Sequence, residues 1–81
     1  MSDTPPRRRV TVNGQVQGVG FRPFVYRLAQ QFELTGFVRN APEGVVVEIQ
    51  GKNRHMDLFL KHLEIDQPPL ARISRIMAQG V

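Results

Sequence analysis

Gly14-Gln15-Val16-Gln17-Gly18-Val19-Gly20-Phe21-Arg22-Pro23-Phe24 sets closely spaced glycines in a short loop that runs into a helix start, with an arginine at the junction. The first N–H groups of a helix have no intrahelical partner, and the macrodipole makes that end electropositive, so the arrangement suits an oxyanion such as phosphate. Glycine lets the peptide plane approach a ligand with no Cβ in the way. The Arg22 guanidinium adds a planar, permanently charged fork for two phosphate oxygens. A small phosphate-ester or phosphoanhydride site is the expectation.

Asn40 is the second candidate. Its carboxamide offers a donor and an acceptor and can hold a water molecule in a fixed orientation, although asparagine before a turn often serves only to tolerate the bend. His55 and His62 lack a third ligand or a suitably placed carboxylate and read as surface residues, and no metal site is expected. No serine–histidine–acid set or cysteine nucleophile is present. Asp57, Glu64 and Asp66 fall on or just after a helix that the inferred topology places away from the loop. With no acid or base beside Arg22, an alkyl phosphate would keep a poor leaving group. An acyl phosphate expels a carboxylate, already a weak base, so cradling the phosphoryl oxygens and aligning one water can suffice.

The elements that must position these groups follow from periodicity. From Arg8 the chain alternates, with Val10, Val12 and Val16 on one parity and Arg9, Thr11 and Asn13 on the other, which describes a half-buried strand. Phe21, Val25, Leu28, Ala29 and Phe32 then mark one face of an amphipathic helix. Pro23 suits the first helical position, leaving Arg22 as N-cap, and Gly36 serves as the C-terminal stop. Phe37 to Asn40 and Val45 to Gln50 form a hairpin about the turn Ala41-Pro42-Glu43-Gly44. Asn53 is available to cap a second helix. That helix carries the stripe Met56, Phe59, Leu60 and Leu63, with Asp57 and Lys61 as an i,i+4 pair, and ends at Gln67-Pro68-Pro69. Ala71 to Met77 makes the last strand, with Ile73 and Met77 on one parity and Ile76 on the other.

The order strand, helix, strand, strand, helix, strand predicts an α+β fold. It is a ferredoxin-like two-layer sandwich, an antiparallel sheet with two helices on one face. In such a fold the first and second strands run parallel, so Asn40 shares a sheet edge with the glycine loop.

Eighty-one residues make one domain, expected at 8–81 after a loose polar tail at 1–7. The absence of cysteine excludes a disulfide scaffold and thiolate chemistry, and is compatible with the cytoplasm. No apolar run approaches the roughly 20 residues that span a membrane, and no membrane partner is expected. The net charge of +4 agrees with an anionic substrate. Arginines scattered from Arg7 to Arg75 read as a solvated surface rather than a binding stripe. RNA binding would need aromatic platforms on the central strands, and Val45 to Gln50 offers none, so no nucleic-acid partner is expected.

The segment from Gly14 to Arg22 resembles the acylphosphatase signature, and Gly36-Phe37-Val38-Arg39-Asn40 resembles that family's second motif. The likeness runs from about Arg9 to Met77. It implies the same sandwich fold, a phosphoryl group bound by Arg22 and by the amides of Gln17, Gly18, Val19, Gly20, Phe21 and Arg22, and a water oriented by Asn40. It implies no cofactor, metal or covalent intermediate.

Phe21-Arg22-Pro23-Phe24-Val25-Tyr26 with Leu28-Ala29, and Pro68-Pro69-Leu70-Ala71-Arg72-Ile73, are more similar to the N-terminal domain of the hydrogenase-maturation carbamoyltransferases. That likeness implies carbamoyl phosphate as substrate. The partners are then the zinc-finger, nucleotide-binding and transferase regions of a parent chain and its maturation partner protein. The chain reads as a fragment that stops at Val81 before a short terminal strand, so that one sheet edge could associate or swap. A non-catalytic phosphate-binding or docking module is the alternative.

Overall fold

Alternation and amphipathicity produce the expected order of elements in the computed structural model, which describes residues 4–81. In β1 (Arg7–Gln15), Val10 and Val12 are fully buried, and the intervening residues lie on the opposite parity. β3 (Gly44–Gln50) buries Val45, Val47 and Ile49 in the same way. β2 (Thr35–Ala41) and β4 (Arg72–Gly80) complete a four-stranded sheet in the order β2-β3-β1-β4, with every neighbouring pair antiparallel. Because β1 and β2 are each antiparallel to β3, they run parallel with β3 between them.

α1 (Phe21–Gln31) buries Phe21, Phe24, Val25 and Leu28, and α2 (Asn53–Ile65) buries Met56, Phe59 and Leu63. These stripes join the valines and isoleucine of the sheet in one core cluster. The sandwich is therefore the ferredoxin-like fold that the periodicity predicts.

Local corrections are concentrated at element ends. β1 starts at Arg7, one residue inside the segment expected as a tail; residues 1–3 of that segment lie outside the described residues. α1 is capped by Gly20, so Arg22 is the second helical residue and Pro23 the third. The proline remains harmless, because the first helical acceptor, the Gly20 carbonyl, is reached by the Phe24 N–H at 3.2 Å, one residue later.

The C-terminal stop of α1 is Glu33 rather than Gly36. Glu33 takes the left-handed conformation (φ 56°), its N–H donates to Gln30, and the Leu34 N–H donates to Ala29 at 2.8 Å. That is the Schellman bond pattern, with leucine as the apolar residue beyond it. Gly36 lies within β2 instead.

α2 is capped by Lys52 with no side-chain bond, and Asn53 is its first residue. The Asn53 carboxamide accepts from Arg8 at 3.1 Å, and Asp57 pairs with Arg8 at 2.8 Å rather than with Lys61. A strand arginine reaching across the layers has displaced both local pairings. In β4, Val12 pairs with Ile76 and Gly14 with Ile73 across a register shift. The extra residue brings Ile73 and Ile76 to the core side together, while Met77 is 49% exposed. Period-2 parity had separated them.

Candidate functional site

The loop between β1 and α1 is built from residues with opposite tasks. Val16 is buried and Val19 packs on the core, which pins the loop to the sandwich at two points. Gly18 (φ 73°) and Gly20 (φ 75°) take the left-handed turns between and after them, and no atom lies within 4 Å of where a Cβ would stand on either. Their requirement is therefore conformational rather than steric. Phe21, 1% exposed and 5.6 Å from Phe24 in a tilted ring pair, anchors the first turn of α1 in the core.

Among the described residues, no backbone N–H from Val16 to Arg22 donates to another backbone group. These donors stand at the positive end of an eleven-residue helix. Arg22 is exposed, and its guanidinium makes no ion pair or hydrogen bond with another described residue.

Val16, Gly18, Gly20, Phe21, Arg22, Pro23 and Asn40 line one cavity of about 240 Å³. Sheet topology makes this meeting possible: β1 and β2 run parallel, so their C-terminal ends lie at the same edge. Asn40 pairs with Val45, which is fully buried, and thus sits on the helix side of β2. No carboxylate lines the cavity.

Five of the seven residues expected at the site therefore border this cavity: Gly18, Gly20, Phe21, Arg22 and Asn40. Gln17 and Val19 border a neighbouring depression with Gly14, Gln15, Pro42, Glu43, Gly44 and Leu70. Gln17 was expected to contribute only its main-chain amide. Its side chain donates to the Ala41 and Gly44 carbonyls, joining the loop to the β2–β3 turn one residue beyond Asn40. A lone polar residue between Val16 and Gly18 was the available signal. Val16 and Pro23 also line the cavity without having been singled out for it.

Comparison with known proteins bears on this arrangement. The profile of the family described as Acylphosphatase matches residues 8–80. The chain belongs to the acylphosphatase family. It is 41% identical over 76 residues to the acylphosphatase of Syntrophotalea carbinolica, a match spanning 93% of this chain and 82% of that protein. Carbamoyltransferase HypF2 of Cupriavidus necator is 51% identical over 70 residues, covering 86% of this chain and 9% of that protein. Among solved structures, full-length HypF in its phosphate- and nucleotide-bound form superposes with a TM-score of 0.91 and 34% identity, over 100% of this chain and 11% of that one. The chain thus spans about a tenth of the HypF relatives and most of the free-standing acylphosphatase. No described helix is long and apolar enough to cross a membrane.

Proposed function

We propose that this acylphosphatase-family chain hydrolyses acyl phosphates, carbamoyl phosphate among them. The unpaired amides from Gln17 to Arg22 hold the phosphoryl oxygens, the Arg22 guanidinium neutralises charge that develops on them, and the Asn40 carboxamide orients the attacking water. The observation that carries this reading is the common cavity of Arg22 and Asn40, beside donors with no backbone acceptor. Its lining lacks an acid or base, which suits a substrate whose carboxylate or carbamate leaving group needs no proton. The reaction breaks the P–O bond to the acyl oxygen as water adds to phosphorus, giving inorganic phosphate and the acid.

Residues 8–81 are then the acylphosphatase-like domain of a cytoplasmic carbamoyltransferase serving nickel–iron hydrogenase maturation, with the other domains of that protein and its maturation partner as partners. The high identity to HypF2 favours this context over a free-standing enzyme. The same observation favours one other reading, a phosphate-binding module without turnover of its own.

The test is phosphate release from acetyl phosphate and carbamoyl phosphate by wild type, Arg22→Ala and Asn40→Ala. Loss of one preorganised charge-stabilising group lowers turnover on the order of 100-fold. Equal rates in all three proteins end the catalytic reading. Amide shifts confined to residues 16–22 on phosphate titration, with no turnover, would leave the binding module.

A further inference from the structure

The sheet carries helices on one face only, and its register gathers charge on the other. Arg7 and Arg9 of β1, Arg39 of β2, and Arg72 and Arg75 of β4 all occupy the parity opposite the core valines. In sequence they are dispersed; in the sheet they share a surface. Glu48 is the one carboxylate among the strand residues of that face, and it is already saturated. Arg7 Nε donates to it at 2.7 Å and Arg9 Nη2 at 2.9 Å. Arg39, Arg72 and Arg75 make no ion pair among the described residues, and all three are exposed.

Exposed apolar side chains flank these arginines, Phe37 on the edge strand β2 and Met77 on the edge strand β4, with Val46 between them. Cross-strand pairing sets Arg39, Val46, Thr11 and Met77 in one row, with Phe37, Glu48, Arg9 and Gln79 in the next. Met77 and Phe37 are 49% and 45% exposed. Methionine, phenylalanine and arginine are residue types enriched in protein interfaces. A nucleic-acid surface would need flat aromatic platforms on the central strands, which here hold Thr11, Arg9, Val46 and Glu48. Phe37, at the edge, is already covered by the Arg7 guanidinium at 5.9 Å from its ring centre.

We infer that this open sheet face docks an acidic protein surface supplied by a neighbouring domain of a longer polypeptide, with Phe37 and Met77 as apolar contacts at its margins. Charge complementarity sets the chemistry of the partner. The HypF relatives, in which a domain of this kind is about a tenth of the chain, show where such a surface would come from. The inference rests on the multidomain part of the proposed function and is independent of hydrolysis, because the face lies across the sheet from the cavity.

Arginine footprinting with phenylglyoxal tests it. Residues 8–80 replace the matching segment of Cupriavidus necator HypF2, and modification is compared with that of the isolated 81-residue chain. Arg39, Arg72 and Arg75 react in the isolated chain and are protected in the chimera on the order of fivefold or more, as an interface requires. Arg27 and Arg54 on the helices react alike in both.

Introducing Arg39→Glu with Arg75→Glu into the chimera restores the reactivity of Arg72. Should that double variant fail to accumulate, Arg75→Gln serves. Equal modification of the three arginines in chimera and isolated chain overturns the inference. So does protection of the isolated chain by polyuridylate at physiological salt without protection in the chimera, which assigns the face to nucleic acid. Phosphate release by the chimera is read in parallel; its loss with protection intact counts against hydrolysis alone.

Discussion

The side-chain amide of Gln17 donates at 2.9 Å to the carbonyl oxygen of Gly44, across the gap between the glycine loop and the β2–β3 turn. A second bond from the same amide to Ala41 makes the connection bidentate. The loop that holds Arg22 and the strand end that holds Asn40 are thereby fixed to each other by one residue. In Gln17→Ala both carbonyls lose their donor, a loss of about 1–2 kcal/mol of stability. Turnover of acetyl phosphate falls roughly tenfold or more, since small misplacements of reacting groups are costly. Gln17→Glu, which accepts but cannot donate, is at least as impaired. Denaturant midpoints and phosphate release measured on the same preparations check both effects.

Gly20 caps α1 in the left-handed conformation with open space where a Cβ would stand. Gly20→Ala therefore strains only the backbone and lowers stability by about 1–2 kcal/mol. Gly20→Asn is milder, because asparagine tolerates that region. Urea unfolding of the two variants should rank them in that order; equal losses would point to an unseen steric clash.

Glu33 occupies the left-handed position that ends α1, where glycine is the usual residue. Relief of the Cβ penalty, partly offset by glycine's greater entropy loss, makes Glu33→Gly more stable by roughly 0.5–1 kcal/mol. The midpoint rises without a change in the slope of denaturant unfolding. Activity is unchanged, because the substitution lies at the far end of α1 from Arg22.

The Arg7 guanidinium, with Arg9 beside it, holds the Glu48 carboxyl below its ordinary value of 4.5. The folded state thus binds this proton more weakly than the unfolded chain. The stabilisation it provides is complete at neutral pH and is lost as the pH falls below about 4.5 through the lowered folded value. Glu48→Gln removes that part of the acid limb, so its stability varies less between pH 5 and pH 3 in chemical denaturation. An unchanged acid limb would show that the pair does not contribute.

Element types and their order were legible because burial repeats with a fixed period. Val10 with Val12, and Phe21 with Val25 and Leu28, state their faces without reference to any other segment. Element ends were less legible, since caps depend on backbone angles that several residues can adopt. Gly36 was the natural helix stop by composition, yet Glu33 took the left-handed turn because Leu34 closes the Schellman bonds against the core. Asn53 and Asp57 lost their expected local roles to Arg8, a residue far away in the chain. The bulge that aligns Ile73 with Ile76 exists only in the pairing of β4 with β1.

Local chemistry was enough to determine a glycine loop at a helix start, an adjoining guanidinium and a two-layer α+β order, for each depends on neighbours within a few residues. The predicted strand order already placed Asn40 at the sheet edge of the glycine loop. Tertiary structure alone decided that the two line one cavity with Val16 and Pro23, that Gln17 ties the two motifs together, and that dispersed arginines collect on one open face. Those outcomes depend on strand order and register, which are set by how whole hydrophobic faces pack and by no short segment of the chain.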